Sequence, residues 1–444
     1  MKLFNIFRPA PMQPLLKDKE TIKKKYRYWR FRVFYSMYIG YALFYITRKS
    51  FTFAMPFLTT ELGYTKAQLG IIGSMLYITY GISKFFSGVQ SDRSNPRYFM
   101  ATGLVLTGFF NIFFGMSSSI VAFMIFWGLN GWFQGWGWPP CAKLLTHWYA
   151  QSERGTWWGI WNTSHNIGAA LIPFIVVFSV QHYGWRYALY VPGVLCILGG
   201  FFLLNRLTDT PRSLGLPTIE KFKNEMPKSE AQEVEKKISL KQLLVDYVLG
   251  NKYIWLLGFA SFFVYIIRTA INDWTLPFLI EDKGFTATGA AACLFWFEIG
   301  GFFGSLVAGW SSDFFFDGRR GPINVLFSLF SAIVVISIYF IPGDYPILHG
   351  IMIFLIGFMI FGPQMLIGMA AAELSHVNAA GAATGFVGWF AYIGAAVTGF
   401  PIGLVTERFG WGGFFIIMCA SGLIAVLLLL PLWSLTHKPK ETEG

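Results

Sequence analysis

Two arginines set deep in apolar runs carry the chemistry open to this chain. Arg48 falls in Tyr41-Ala42-Leu43-Phe44-Tyr45-Ile46-Thr47-Arg48-Lys49, and Arg268 closes Phe263-Val264-Tyr265-Ile266-Ile267-Arg268. In both stretches a Tyr precedes the Arg by three residues, so on a helix the ring and the cation share a face. A charge at membrane depth costs roughly 2.5 to 3.5 kcal/mol on insertion scales, and such a charge normally faces a cavity, a partner or a substrate. Two such costs at matching places point to one anion held between two halves. The competing assignment is a structural ion pair with Glu298 or Asp273. A guanidinium suits an oxyanion because its planar fork donates to two oxygens at once and keeps its proton.

Elements that could place these groups follow from composition. Of 444 residues, 55% are hydrophobic and only 13% charged, with a mean hydropathy of +0.51, which describes a polytopic membrane protein. The net charge of +12 reports orientation rather than a nucleic-acid partner, because the basic residues concentrate in loops and tails. Apolar spans of about 20 residues, the length a bilayer requires, are expected near 33–56, 69–89, 98–117, 119–140, 157–180 and 185–205. After a polar segment they resume near 254–278, 288–310, 322–341, 347–370, 380–403 and 410–433.

The expectation is therefore an all-α integral membrane protein of twelve transmembrane helices in two pseudo-symmetric six-helix bundles. Its parts are a basic tail at 1–32, which reads as a lead-in touching anionic headgroups or as a plain topology signal, a bundle at 33–205, a linker at 206–253, a second bundle at 254–433 and a tail at 434–444. Placing 27 of the 35 Lys and Arg on the side of the tails and linker makes both termini cytoplasmic.

The halves repeat one another. Arg48 and Arg268 lie 220 residues apart, and Ser91-Asp92 and Ser312-Asp313 lie 221 apart. Ile167-Gly168-Ala169-Ala170 recurs as Ile393-Gly394-Ala395-Ala396, and Tyr183-Gly184-Trp185 as Phe409-Gly410-Trp411, both at 226. Two homologous bundles with a midplane site are an architecture of secondary transporters.

At this point a resemblance covers essentially the whole chain. Gly88-x-x-x-Asp92-Arg93 and Gly309-x-x-x-Asp313, followed by Arg319-Arg320, resemble the loop signatures of the major facilitator superfamily. Ser83-Lys84-Phe85, Gly135-Trp136-Gly137-Trp138-Pro139-Pro140-Cys141, Trp161-Asn162-Thr163-Ser164-His165-Asn166 and Phe361-Gly362-Pro363-Gln364 resemble its organophosphate:phosphate antiporter family. So does Tyr41-x-x-x-Tyr45-x-x-Arg48-Lys49. That family holds bacterial glycerol-3-phosphate and hexose-6-phosphate transporters, the hexose-phosphate sensor UhpC and the animal glucose-6-phosphate translocase.

The resemblance implies phosphate binding by Arg48 and Arg268, with Lys84 and His165 nearby. Tyr41, Tyr45, Tyr265 and Tyr392 match cavity tyrosines, and Asn162, Trp138 and Trp161 would face the sugar. Lys84 could instead snorkel to the inner interface, and Trp is more often packing. An imidazole with a pKa of about 6.5 titrates close to the second proton of a phosphate monoester. Asp92, Arg93 and Asp313 would form a cytoplasmic latch. The chain departs from the family at Phe44 and Phe361, where the glycerol-phosphate transporter has tyrosines, and at Ala396 and Gly399, near which the hexose-phosphate transporter has a charged pair.

No triad, zincin or phosphate-loop motif stands in the sequence, so an enzyme is not expected, nor a cofactor or a metal. Cys141, Cys196, Cys293 and Cys419 lack metal-ligand spacing and read as packing residues. The expected activity is exchange of a sugar phosphate, glucose 6-phosphate, for inorganic phosphate across a bacterial inner membrane by a monomeric carrier. Two like charges oppose closure of an empty cavity, and a bridging anion favours it. The alternatives are a sensor of the same ligand that signals to a kinase, and a proton symporter using Asp273, Glu298 or Glu373.

Overall fold

The computed structural model describes residues 7–92, 94–224, 248–375 and 380–435, and every extended element among them is a helix. In chain order these are α1 (Lys19–Leu62), α2 (Lys66–Asp92), α3 (Pro96–Met116), α4 (Ile120–Gln134), α5 (Trp138–Trp148), α6 (Gln151–Asn162), α7 (Ser164–Tyr183), α8 (Tyr187–Arg206) and the short α9 (Ile219–Lys223). The second half supplies α10 (Lys252–Glu281), α11 (Ala287–Phe316), α12 (Arg320–Tyr339), α13 (Pro346–Glu373), α14 (Ala380–Val397) and α15 (Phe400–Leu429). Eight of the helical segments are long and apolar enough to cross a membrane on their own. The others expected to cross include α1 and α2, diluted by Arg48, Lys49 and Lys84, and α4 with α5, which break in the middle.

The chain forms two compact units, one of residues 1–54 and 78–236 and one of 55–77 and 237–444. This division follows the two halves except for residues 55–77, the end of α1 and the start of α2, which group with the second unit.

Within the first unit α1 begins well before the bilayer span. Asp18 caps it, its carboxylate accepting the Thr21 N–H at 2.9 Å and the Thr21 hydroxyl at 2.5 Å, which also holds that carboxyl below its ordinary range. The tail before it packs on the protein. Ala10 N–H donates to Asp209 Oδ2 (2.9 Å), Gln13 N–H to Arg212 O (3.0 Å) and Leu16 N–H to Gly215 O (2.9 Å). Tyr26 stacks on Phe222 at 4.2 Å and packs edge-on to Trp148. Tail, start of the linker and the end of α5 thus form one cap over the unit.

Prolines set the helix breaks, and serines mend them. Pro139 and Pro140 lack the N–H groups that would reach Gly135 O and Trp136 O, so the fourth span splits into α4 and α5. Ser87 Oγ donates to Gly135 O at 2.7 Å instead, and Ser83 Oγ to Trp132 O at 2.5 Å. In the second unit Ser74 Oγ is inserted into the helical bond between Ala396 and Phe400, donating to Ala396 O (2.8 Å) and accepting from Phe400 N–H (3.0 Å). Trp132 O, Gly135 O, Ala396 O and the Phe400 N–H thus keep hydrogen-bond partners where the helices break. Gly410, at φ +67°, turns α15 between its two parts.

Small residues set helix spacing where backbones approach. A Cβ on Gly304 would lie 1.9 Å from Phe358 O, and one on Gly300 2.1 Å from Phe354 O, so α11 and α13 pack backbone to backbone. At Gly385 of α14, by contrast, no atom of the described residues lies within 4 Å of such a Cβ.

Candidate functional site

In the first unit a run of polar and aromatic contacts joins α1, α2, α4, α5, α6 and α7. Arg48, on α1, is 9% exposed and lies between two rings, its guanidinium 4.3 Å from the centre of Tyr45 and 4.4 Å from that of Tyr80. Both rings present π-faces to the cation. Its Nε donates to Gln134 Oε1 at 2.8 Å. Tyr45 packs 5.2 Å from the His165 ring and 5.6 Å from Tyr41, and Tyr41 lies 4.8 Å from Trp161. Trp161 meets Trp158, which meets Trp138, whose ring lies 5.3 Å beneath Lys84 Nζ.

His165 sits at the start of α7, where Thr163 interrupts the helix. Its Nδ1 bonds the carbonyl of Asn162, and a carbonyl can only accept, so Nδ1 carries the proton in the neutral ring. Nε2 is then the atom that changes from acceptor to donor when the ring gains a proton. The Asn162 side chain is exposed, whereas Trp161, expected to face the sugar, is fully buried against Tyr41 and Trp158 and packs there instead. Lys49 is also buried, at 9% exposure.

In the second unit Arg268 is half-buried on α10, its guanidinium 4.8 Å from the Phe361 ring and 5.5 Å from Tyr265. Tyr265 lies 6.0 Å from Tyr392. The same unit holds two carboxylates with described hydrogen-bond donors. Tyr77 donates to Asp273 Oδ2 at 2.5 Å, and Asn272 Nδ2 to Glu298 Oε1 at 2.8 Å. Glu373 pairs with Arg320 at 3.0 Å.

Of the expected latch, Arg93 and the side chains of Asp92 and Asp313 lie outside the described residues. Among the described residues no three His, Cys, Asp or Glu gather as a metal would need. A cavity of about 480 Å³ in the second unit is lined by Phe285, Trp296, Ile347, Ile351 and Phe354, with no charged group to meet an anion.

Gln134 and Tyr80 are described neighbours of Arg48 that the motifs did not single out. The signal was available for one of them: Asn130 and Gln134 stand four apart in the otherwise apolar Ile120–Gln134, so two amides share one helix face at membrane depth.

Residues 37–399 match the family model of the Major Facilitator Superfamily. The chain belongs to that superfamily. Over 98% of its length it is 56% identical to a "Probable hexose phosphate transport protein" of Chlamydia trachomatis serovar D, covering 97% of that protein. It is 47% identical, over 98% of this chain and 99% of the other, to the "Membrane sensor protein UhpC" of Escherichia coli K12. These relatives place it in the organophosphate:phosphate antiporter branch of the superfamily. The crystal structure of a bacterial homologue of the human lysosomal transporter Spinster, inward-facing and unoccupied, matches with a TM-score of 0.73 at 14% identity, over 91% of this chain and 96% of that one. That likeness speaks for the fold. A superfamily member with eight segments long and apolar enough to cross a membrane among its described residues is an integral, multi-pass membrane protein.

Proposed function

We propose that this chain exchanges a hexose phosphate, glucose 6-phosphate, for inorganic phosphate across a bacterial cytoplasmic membrane by alternating access. The observation that carries the reading is a pair of intramembrane arginines, one per unit, each set against aromatic rings in a chain 56% identical to a named hexose phosphate transport protein. Arg48 and Arg268 bind the phosphoryl oxygens, Lys84 adds charge, and His165 Nε2 accepts from a protonated phosphate oxygen or donates to an ionised one. Tyr41, Tyr45, Tyr265 and Tyr392 supply hydroxyls, and Asn162 and Trp138 meet the sugar. Asp92, Arg93 and Asp313 form the cytoplasmic latch. The carrier works as a monomer and catalyses no covalent chemistry.

Binding converts the site from two like charges to a neutralised pair, so the loaded carrier changes conformation readily and the empty one slowly. Purified protein in liposomes loaded with phosphate is therefore expected to take up labelled glucose 6-phosphate, and liposomes without internal phosphate to take up almost none. Uptake without internal phosphate that follows an imposed pH gradient would make the chain a proton symporter. The 47% identity to a protein named a membrane sensor supports a second reading, a receptor that signals the ligand to a kinase. A receptor binds glucose 6-phosphate and accumulates none in either preparation. Glycerol 3-phosphate competing better than glucose 6-phosphate would reassign the sugar and leave exchange intact.

A further inference from the structure

Arg48 stands at the end of a chain of buried amides that has only one self-consistent direction. Its far end is Leu189 O, a backbone carbonyl of α8, which accepts from Asn111 Nδ2 at 2.7 Å. A carbonyl cannot donate, so Asn111 must turn its nitrogen to Leu189 and its oxygen the other way. That oxygen accepts from Ser50 Oγ at 2.9 Å and from Asn130 Nδ2 at 3.4 Å. Asn130 Nδ2 also meets Thr107 O at 3.3 Å, which fixes Asn130 in the same sense and aims its oxygen at Gln134.

Gln134 Nε2 then donates to Asn130 Oδ1 at 3.0 Å and to Thr47 Oγ1 at 3.2 Å, using both its hydrogens. Its oxygen is left for Arg48 Nε at 2.8 Å. Reversing any amide would set donor against donor or oxygen against oxygen. Asn111, Asn130 and Gln134 are all 0 to 1% exposed, so water cannot repair such an error.

A guanidinium can grip an oxyanion by its side edge, through Nε and one terminal nitrogen, or by its end, through the two terminal nitrogens. Gln134 occupies Nε and so takes the side edge out of use. We infer that Gln134 is a positioning residue that commits Arg48 to end-on recognition of phosphate, with Asn130 and Asn111 setting its direction. This inference rests on Arg48 binding the phosphoryl group.

The test measures inorganic phosphate binding to the purified full chain, and phosphate self-exchange in liposomes. The variants are Gln134→Met, which keeps the length without an acceptor, and Gln134→Asn, which keeps the amide but cannot reach Nε. We expect either to raise the phosphate Kd and KM about tenfold, the scale of a lost hydrogen bond to a charged group, while the maximal exchange rate changes less than about twofold. In an Arg48→Lys background, where no Nε remains, the Gln134 change should add almost nothing to the loss.

If Gln134→Asn folds and binds phosphate like wild type, the inference is wrong. A Gln134 effect of equal size in the Arg48→Lys background also overturns it, because the residue would then act through packing alone. Wild-type protein that binds no phosphate would instead remove the phosphate reading itself.

Discussion

Arg48 and Arg268 are alike in sequence context, and each lies against two aromatic rings. Arg48 is fixed at Nε by a buried amide and sandwiched between Tyr45 and Tyr80, while the described neighbours of Arg268 are the rings of Phe361 and Tyr265. A Lys at either place keeps the charge and loses the planar fork. Arg48→Lys and Arg268→Lys are each expected to weaken phosphate binding by roughly 10- to 100-fold, read as Kd by calorimetry on protein that still folds. A Lys variant with near-normal affinity would show that charge alone suffices. Both arginines were legible because a cation in an apolar run has few explanations. Gln134 was less legible, because its role depends on four helices meeting, and spacing along one helix shows only that Asn130 and Gln134 share a face.

At the scale of elements, the sequence marked where spans lie better than how they break. Pro139-Pro140 and Pro401 were visible, but Ser83, Ser87 and Ser74, which satisfy the interrupted backbone, sit in α2, far from those prolines in sequence. The cap on the first unit was hidden for a similar reason, since a run of Lys and Arg says nothing about what it packs against. Its central ion pair joins Arg30 of α1 to Glu153 of α6 at 2.6 Å, with Lys223 of α9 at 3.7 Å from the same carboxylate.

Burial alone would raise the Glu153 carboxyl, but the hydrogen bond and charge of Arg30, with Lys223, outweigh it and hold the group below its ordinary value of 4.5. A depressed carboxyl stabilises the folded state above its unfolded pKa and loses that contribution as pH falls through the folded one. Glu153→Gln is thus expected to lower the thermal unfolding midpoint by a few degrees at pH 7, with the gap to wild type closing as pH falls below about 4.5. An equal gap at both pH values would assign the effect to packing rather than charge.

For the whole molecule, the expected topology draws on two independent lines. Hydrogen bonds from Ala10, Gln13 and Leu16 to Asp209, Arg212 and Gly215 put the first tail and the start of the linker at one end of the first unit. The chain between them must then cross the bilayer an even number of times, which six spans satisfy and five or seven would not. The expected side comes from charge: 27 of the 35 Lys and Arg fall in the tails, the linker and the loops assigned to their side, while Lys66, Arg186, Lys283 and Arg408 fall in the loops assigned to the other. Reversing the protein would carry that excess across the membrane. Labels at Met1, Glu230 and Gly444 should therefore all resist an impermeant reagent applied outside intact cells and react once the membrane is opened. Outside labelling at Gly444 alone would leave the first unit in place and remove one crossing from the second, whereas outside labelling at Glu230 alone would contradict the cap itself.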